Sequence, residues 1–281
     1  MPSVFPRAFA ELRRVAAMAF AGGVMGACLI AAPAAPQAAE ENTPASHAIE
    51  IPETAFSFDG LFGTWDKAQL QRGFQVYQNV CAACHALHLV SYRNLEALGY
   101  NEAEIKAIAA AAQITAGPND EGEMFERPGL PSDRFKSPFP NEQAARFANN
   151  GAYPPDLSLM AKAREGGPSY IVALLNGYHE PPAGFDLLTG MNYNEYFPGH
   201  QIAMPPPLSE GSITTEGNNV YEDGTPATVH QMSEDVAAFL MWAAEPHMQT
   251  RKQTGVKVVL FLLVMTGLLY AAKRKVWADL H

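Results

Sequence analysis

An all-α domain wrapped in long irregular loops and tethered by one C-terminal transmembrane helix is the fold class this 281-residue sequence predicts. Three observations carry it. Apolar residues recur at helical spacing inside segments with recognisable caps. No stretch alternates apolar and polar residues for long enough to build a sheet. The last apolar run has the length of a membrane span.

The chain begins MPSVFPRAFAELRRVAAMAFAGGVMGACLIAAPAAPQAAEEN, in which Arg7, Arg13 and Arg14 precede an apolar run over 15–32, and small residues lead into Glu40 and Glu41. That order marks residues 1–39 as an export signal, cleaved between 34 and 39. Ala32-Pro33-Ala34 satisfies the small-x-small rule, whereas Ala39 stands at the change to acidic composition. Cys28 leaves with the signal, because Met25 three residues earlier does not suit lipid attachment.

The first helix of the exported part runs from about residue 64, with Leu70, Phe74 and Tyr77 at i, i+4 and i+7, into NVCAACHALH at 79–88. A CxxC pair serves a redox disulfide, half of a zinc site or a covalent haem anchor. Zinc wants a second CxxC or an HxxxH pair, and a thioredoxin-like motif wants a strand before it. The residues here supply neither. The haem anchor wants a histidine directly behind the second cysteine, and His85 is that residue. Cys81 and Cys84 therefore attach one haem c through thioethers while His85 reaches the iron. Such haem is attached outside the cytoplasm, in agreement with the export signal.

Further helices follow. NEAEIKAIAAAAQI, 101–114, opens with Asn101 and has Glu104 three later, a capping box. NEQAARFANNG and PSYIVALLNG end at Gly151 and Gly177, as helices often do. SEDVAAFLMWAAEP takes Ser233 as N-cap and Pro246 as stop. Loops rich in proline and glycine, notably 115–140 and 178–231, lie between them.

An iron held by His85 needs a ligand on its other face, and a methionine there suits an electron carrier. Met232 and Met241 belong to an apolar helix face, where packing explains them. Met204 lies in PGHQIAMPPPLSE, before three prolines that hold its backbone extended. His200 and Met191 are rivals in the same region. His88, three residues after His85 on one helix, falls on the wrong side of the ring.

The run GVKVVLFLLVMTGLLYAAKRKVW is apolar over 258–272, and 255–272 makes 18 residues with Lys257 near an edge, able to snorkel. Basic residues flank it on both sides, so charge alone leaves its orientation open. The export signal and the haem place 40–250 in the periplasm and the tail 273–281 in the cytoplasm, a single pass through the inner membrane. Residues 40–250 hold 10 basic and 27 acidic side chains, a net charge of −17. This field repels nucleic acid and anionic lipid. It serves solubility, and with a haem it favours a basic redox partner.

The blocks CAACH, RFANNGAYPPDLS, AREGGPSYIVALLNGYHEPPAG, NYNEYFPGHQIAMPPPL, DGTPATVHQMSEDVAAFLMWAAEP and the terminal apolar run, spread from Phe56 to the C-terminus, resemble the cytochrome c1 family. The resemblance implies a cytochrome c-like helical domain with one haem on a single membrane anchor. It implies membership of a dimeric cytochrome bc1 complex with cytochrome b, electrons arriving from a Rieske iron–sulfur protein and leaving to a soluble basic cytochrome c. Carried over residue by residue, it makes Cys81 and Cys84 the thioether attachments, His85 the proximal ligand and Met204 the distal one. In REGGPSY it places Arg164 and Tyr170 at the haem propionates. Some bacterial relatives carry a further cysteine pair near the distal ligand, but this chain has no cysteine after Cys84. The chain would then do no bond chemistry of its own, only outer-sphere electron transfer. Two other readings are a free-standing membrane-anchored cytochrome c donating to an oxidase and a haem-free thiol–disulfide protein.

Overall fold

The computed structural model describes residues 49–213 and 219–278. The export signal over 1–39, its cleavage site and the end of the tail lie outside the described residues.

Helix α1, Lys67–Asn79, begins three residues later than its periodicity suggests, because the Asp66 carboxylate accepts from the backbone N–H groups of Ala68 and Gln69 and caps it there. It also stops short of the cysteines. Cys81–Ala83 form a separate 3₁₀ turn, and His85 and His88 follow it outside regular helix. Helix α2, Glu102–Ala110, has the expected reciprocal cap: Asn101 Oδ1 accepts from Glu104 N at 3.0 Å and Glu104 Oε2 from Asn101 N at 2.8 Å. The sequence carries that helix to 114, but it ends at Ala110. Strand β1, Gln113–Ala116, takes over and pairs antiparallel with β2, Phe125–Pro128, inside what reads as loop.

Helices α3, Glu142–Ala148, α4, Met160–Ala163, and α5, Pro168–Asn176, follow. Gly177 closes α5 with an ordinary φ of −86°, so it is not a left-handed cap. Its role is room, since a Cβ there would stand 2.7 Å from the Tyr196 ring. A short hairpin of β3, Asn192–Tyr193, and β4, Gln201–Ile202, comes next. Helix α6, Val229–Ala244, starts at an N-cap supplied by Thr228, not Ser233. Ser233 is fully buried within it, its hydroxyl donating to His230 O at 2.7 Å and accepting from Asn176 Nδ2 of α5 at 2.6 Å. Pro246 does break the chain as expected, but for only three residues before α7, Met248–Val276, begins.

The core is the crossing of α1 over α6. Phe74 and Tyr77 of α1 meet Phe239 of α6 at ring-centroid distances of 5.7 Å each, and Phe135 packs edge-on against both at about 6 Å. Gly73 makes the approach possible: a Cβ there would lie 2.0 Å from the Asp235 carbonyl oxygen. At the same crossing Arg72 grips the fully buried Asp235 carboxylate with two bonds of 3.0 and 3.1 Å, and it also reaches Asp223 at 2.7 Å. Gln231 Nε2 donates to Asp235 as well, so the buried charge is paired and hydrogen-bonded. Helix α7 differs in kind. It is 29 residues long, apolar enough to cross a membrane, and none of its apolar stretch is buried in the protein.

Gly73→Ala is expected to force α1 and α6 apart and destabilise the protein by about 1–3 kcal/mol. Thermal unfolding followed by circular dichroism reads this directly, and an unchanged Tm would mean that the crossing relaxes freely.

Candidate haem-binding site

The CxxCH residues are shaped by the turn that follows α1. Cys84 N and His85 N both donate to Cys81 O, at 3.1 and 2.8 Å, which folds Cys81, Cys84 and His85 into one compact turn. Cys81 is half-buried and Cys84 exposed, both as free thiols. Burial, with the Cys84 charge as a second cause, pushes the Cys81 thiol up to about 12. A redox CxxC works through a thiol lowered towards neutrality, so this environment opposes the thiol–disulfide reading.

His85 is oriented from a distance. Its Nδ1 lies 2.8 Å from Pro155 O. A carbonyl only accepts, so Nδ1 carries the proton and Nε2 the lone pair. Burial, only partly offset by the Pro155 bond, lowers the pKa of His85 and keeps the ring neutral. A neutral imidazole with its outer nitrogen unprotonated is a metal ligand in waiting. The donor set thus fits a covalently held haem: two thiols on one turn and an imidazole whose free lone pair is set by its other nitrogen.

The segment that supplies Pro155 runs beside the motif like a splint. Leu157 N donates to Ala86 O at 2.9 Å and Leu89 N to Ser158 Oγ at 3.0 Å. Asp156 Oδ2 accepts from His88 N at 2.8 Å. Tyr77 of α1 adds a hydroxyl bond to His85 O at 3.2 Å. His88 is indeed not available to iron, but for a different reason from helix geometry. Its Nδ1 is 2.7 Å from Asp156 Oδ2 and its Nε2 is 2.7 Å from Ser137 Oγ, so both ring nitrogens are engaged.

The remaining predicted site residues, Met204, Tyr170 and Arg164, lie on and around α5 and the hairpin after it. Met204 lies two residues beyond the end of β4 and is half-buried, and its carbonyl accepts from Tyr178 Oη at 3.1 Å and Asn192 Nδ2 at 3.4 Å. The hairpin before it is pinned to the end of α5 by the fully buried Asn194, which donates to Leu174 O at 2.8 Å. Tyr170, buried in the first turn of α5, has its pKa raised by burial and pulled back by the nearby charge of Arg164, an exposed side chain whose own hydrogen bond goes to Ala163 O. Tyr178 is raised by burial too, with Tyr170 as its electrostatic neighbour. The Tyr178 hydroxyl thus ties the end of α5 to the Met204 backbone, with Tyr170 and Arg164 as successive electrostatic neighbours. The rivals are placed otherwise. His200 has a left-handed φ of 58° and stacks on Tyr193 at 5.8 Å, while Met191 is exposed. Met232 is wholly buried in α6 and Met241 packs against the core, as their helical positions suggest.

The sequence reading missed Pro155, Asp156, Ser158, Tyr178 and Asn194 as working residues. Asp156 and Ser158 carried a weak local signal, since Asp-x-Ser forms the turn in which Ser158 N donates to Asp156 Oδ1 at 2.8 Å. The others had none.

Fold and site together define a c-type haem-binding domain of mixed helix and loop, continuous with a helix of membrane-spanning length. The chain belongs to the Cytochrome C1 family, whose model matches residues 56–280. Among similar proteins, cytochrome c1 of Rhodospirillum rubrum is 49% identical over 247 residues, covering 82% of this chain and 89% of that protein. A mitochondrial cytochrome c1 haem protein of Arabidopsis thaliana is 52% identical over 238 residues, 84% of this chain and 75% of its own length. Cytochrome b/c1 of Bradyrhizobium diazoefficiens is 50% identical over 252 residues, which is 82% of this chain but 36% of that longer protein.

Burial alone would raise the Asp156 carboxyl, but hydrogen bonds from Ser158 and His88 bring it below the usual carboxylate range. A lowered folded value means that its contribution is complete above about pH 4, the unfolded value, and is lost as pH falls through the folded one. Asp156→Asn is expected to flatten this acid limb of stability and to cost about 1–3 kcal/mol at neutral pH. Urea melts at a series of pH values measure both, and an acid limb like that of the unmodified protein would remove Asp156 from the splint.

Proposed function

We propose that this chain is the haem-bearing electron-transfer subunit of a cytochrome bc1 complex. It takes electrons from a Rieske iron–sulfur protein and passes them through one covalent haem c to a soluble, basic cytochrome c. The observation that carries the reading is the CxxCH turn with its imidazole locked by Pro155, in a chain that the Cytochrome C1 family matches over residues 56–280. The Bradyrhizobium relative bears both names, cytochrome b and c1, which supports cytochrome b as the neighbour in the complex.

Bound haem supplies reversible one-electron chemistry. Cys81 and Cys84 would hold it covalently, and His85 would offer Nε2 as a ligand to the iron. Met204 would offer its thioether as the second ligand, its backbone held by Tyr178 and Asn192. Methionine opposite histidine raises the potential into the range of a carrier. Arg164 and Tyr170 are donors suited to the propionate carboxylates, and a guanidinium makes the stronger, charge-assisted bond. Outer-sphere transfer makes and breaks no bond in a substrate, so no nucleophile or acid–base pair is needed. The net charge of −17 over 40–250 favours encounter with a basic acceptor. With export directed by residues 1–39 and α7 crossing the inner membrane, the haem domain faces the periplasm and the tail the cytoplasm.

Met204→Leu is expected to retain the covalent haem and lower the midpoint potential by an amount on the order of 100 mV, a fraction of the ~0.8 V that axial ligands span. Redox titration decides it, and an unchanged potential would remove Met204 from the iron. The complex itself is tested by a reduced-minus-oxidised spectrum of material purified in mild detergent through a tag on this chain. Bands of b-type haem beside the c-type band are expected. Their absence after the gentlest extraction would make the chain a tethered carrier instead.

A further inference from the structure

The segment 57–64, SFDGLFGT, carries at its tip two apolar side chains that the domain does not cover. Leu61 is 61% exposed and Phe62 80% exposed, although neither belongs to α7. They do not hang on a slack loop. Thr64 N donates to Ser57 O at 3.0 Å and closes its neck, and Asp59 Oδ2 accepts from Phe56 N at 2.7 Å. Phe58 is buried between Phe56 and Trp65, with ring centroids 4.9 and 4.7 Å away. Gly60 takes a left-handed φ of 67°. Gly63 lies so close to the Phe58 and Asp59 backbone that a Cβ would stand 2.1 Å from Asp59 O. The segment is thus a preformed knuckle with an apolar tip.

The knuckle is tied to α7. Lys252 Nζ donates to Phe58 O at 2.5 Å and to Gly60 O at 2.6 Å, spending its hydrogen bonds on the carbonyls directly before the tip. Met248, one turn earlier, is buried in the domain core, and Arg251 and Lys162 both bind Glu245, so the helix root is held on this side of the domain. Lys252 precedes the apolar run at Val258 by six residues, about 9 Å of helix rise. That is the depth of the headgroup region, where apolar faces of surface-bound segments bury by roughly 5–10 Å. Aromatic side chains favour this zone, and Arg251, Lys252 and Lys257 give the root a basic collar within an otherwise acidic domain.

We propose that the knuckle at 57–64 is a second membrane contact, with Leu61 and Phe62 entering the headgroup boundary of the bilayer leaflet beside the root of α7. The inference rests on the reading of α7 as a membrane span. It assigns to a domain otherwise hinged on one helix a second point of attachment, which limits its rotation about the helix axis. Lipid is the occupant favoured by the tie of the tip, through Lys252, to the root of the apolar helix and by the basic residues at that root.

The test uses the full haem-loaded chain in phosphatidylcholine vesicles. Phe62→Trp and, separately, Leu61→Trp are compared with the unmodified protein for quenching by lipids brominated near the headgroup and by aqueous acrylamide, with the haem spectrum and Tm as controls of folding. The added emission is expected to fall roughly twofold with shallow brominated lipid and to resist acrylamide, as for an interfacial side chain. Quenching by acrylamide alone puts the tip in water and overturns the proposal, and so does shielding from both quenchers, which would put protein over it. An unmodified chain that does not float with the vesicles overturns the membrane reading of α7, and the second contact with it.

Discussion

Everything in the domain is referred to the place where α1 passes over α6. Two helices that must carry rings as large as Phe74, Tyr77, Phe239 and Trp242 would ordinarily stand well apart, yet Gly73 lets the backbones touch at Asp235. That closeness seals the Asp235 carboxylate from water, and an unpaired charge there would be costly. Arg72, on the neighbouring position of α1, meets it with both prongs of its guanidinium. The glycine and the ion pair are therefore one device: the first sets the separation and the second specifies the register. Because α5 also packs on α6, through Asn176 and Ser233, the crossing carries both groups of site residues.

On this frame the site is assembled by polar contacts between loops. One group grows from the end of α1, where the CxxCH turn would be free to swing without the splint at 155–158. The other grows from the end of α5, where Asn194 and Tyr178 hold the hairpin and the chain just beyond it. In each case a buried polar side chain satisfies backbone groups that no helix or sheet supplies. This is how a protein with so much irregular chain presents side chains with the precision of regular structure. It also explains the absence of any need for a cysteine bridge near Met204: two hydrogen bonds to its carbonyl and three following prolines already restrict it.

The same logic reaches the membrane helix. Met248 and Lys252 fasten α7 to the domain core and to the carbonyls of the knuckle, so the apolar helix leaves the domain from a defined root and not from a flexible linker. An electron-transfer domain benefits from that restriction, because transfer depends on presenting a particular edge to a partner.

Much of this was legible beforehand wherever the governing interaction is local. The CxxCH spacing named its chemistry, the Asn101–Glu104 box opened α2 where expected, Pro246 stopped α6, and an apolar run of spanning length became an exposed helix. Ser233 misled for an instructive reason: a serine before acidic residues reads as a cap, yet Thr228 lies five residues earlier with the same chemistry, and only the packing of Asn176 on Ser233 places that hydroxyl inside the helix. Likewise the residues after Ala110 have helical composition, but pairing with 125–128 draws them into a strand. By itself the sequence determined the CxxCH motif, the main helices and the long apolar helix, since each depends on residues within a few positions of one another. Only the tertiary structure decided how α1 could approach α6, which carbonyl orients His85 and what occupies His88. The partners in those contacts lie about 70 to 160 residues apart, and no local pattern encodes a hydrogen bond across such a distance.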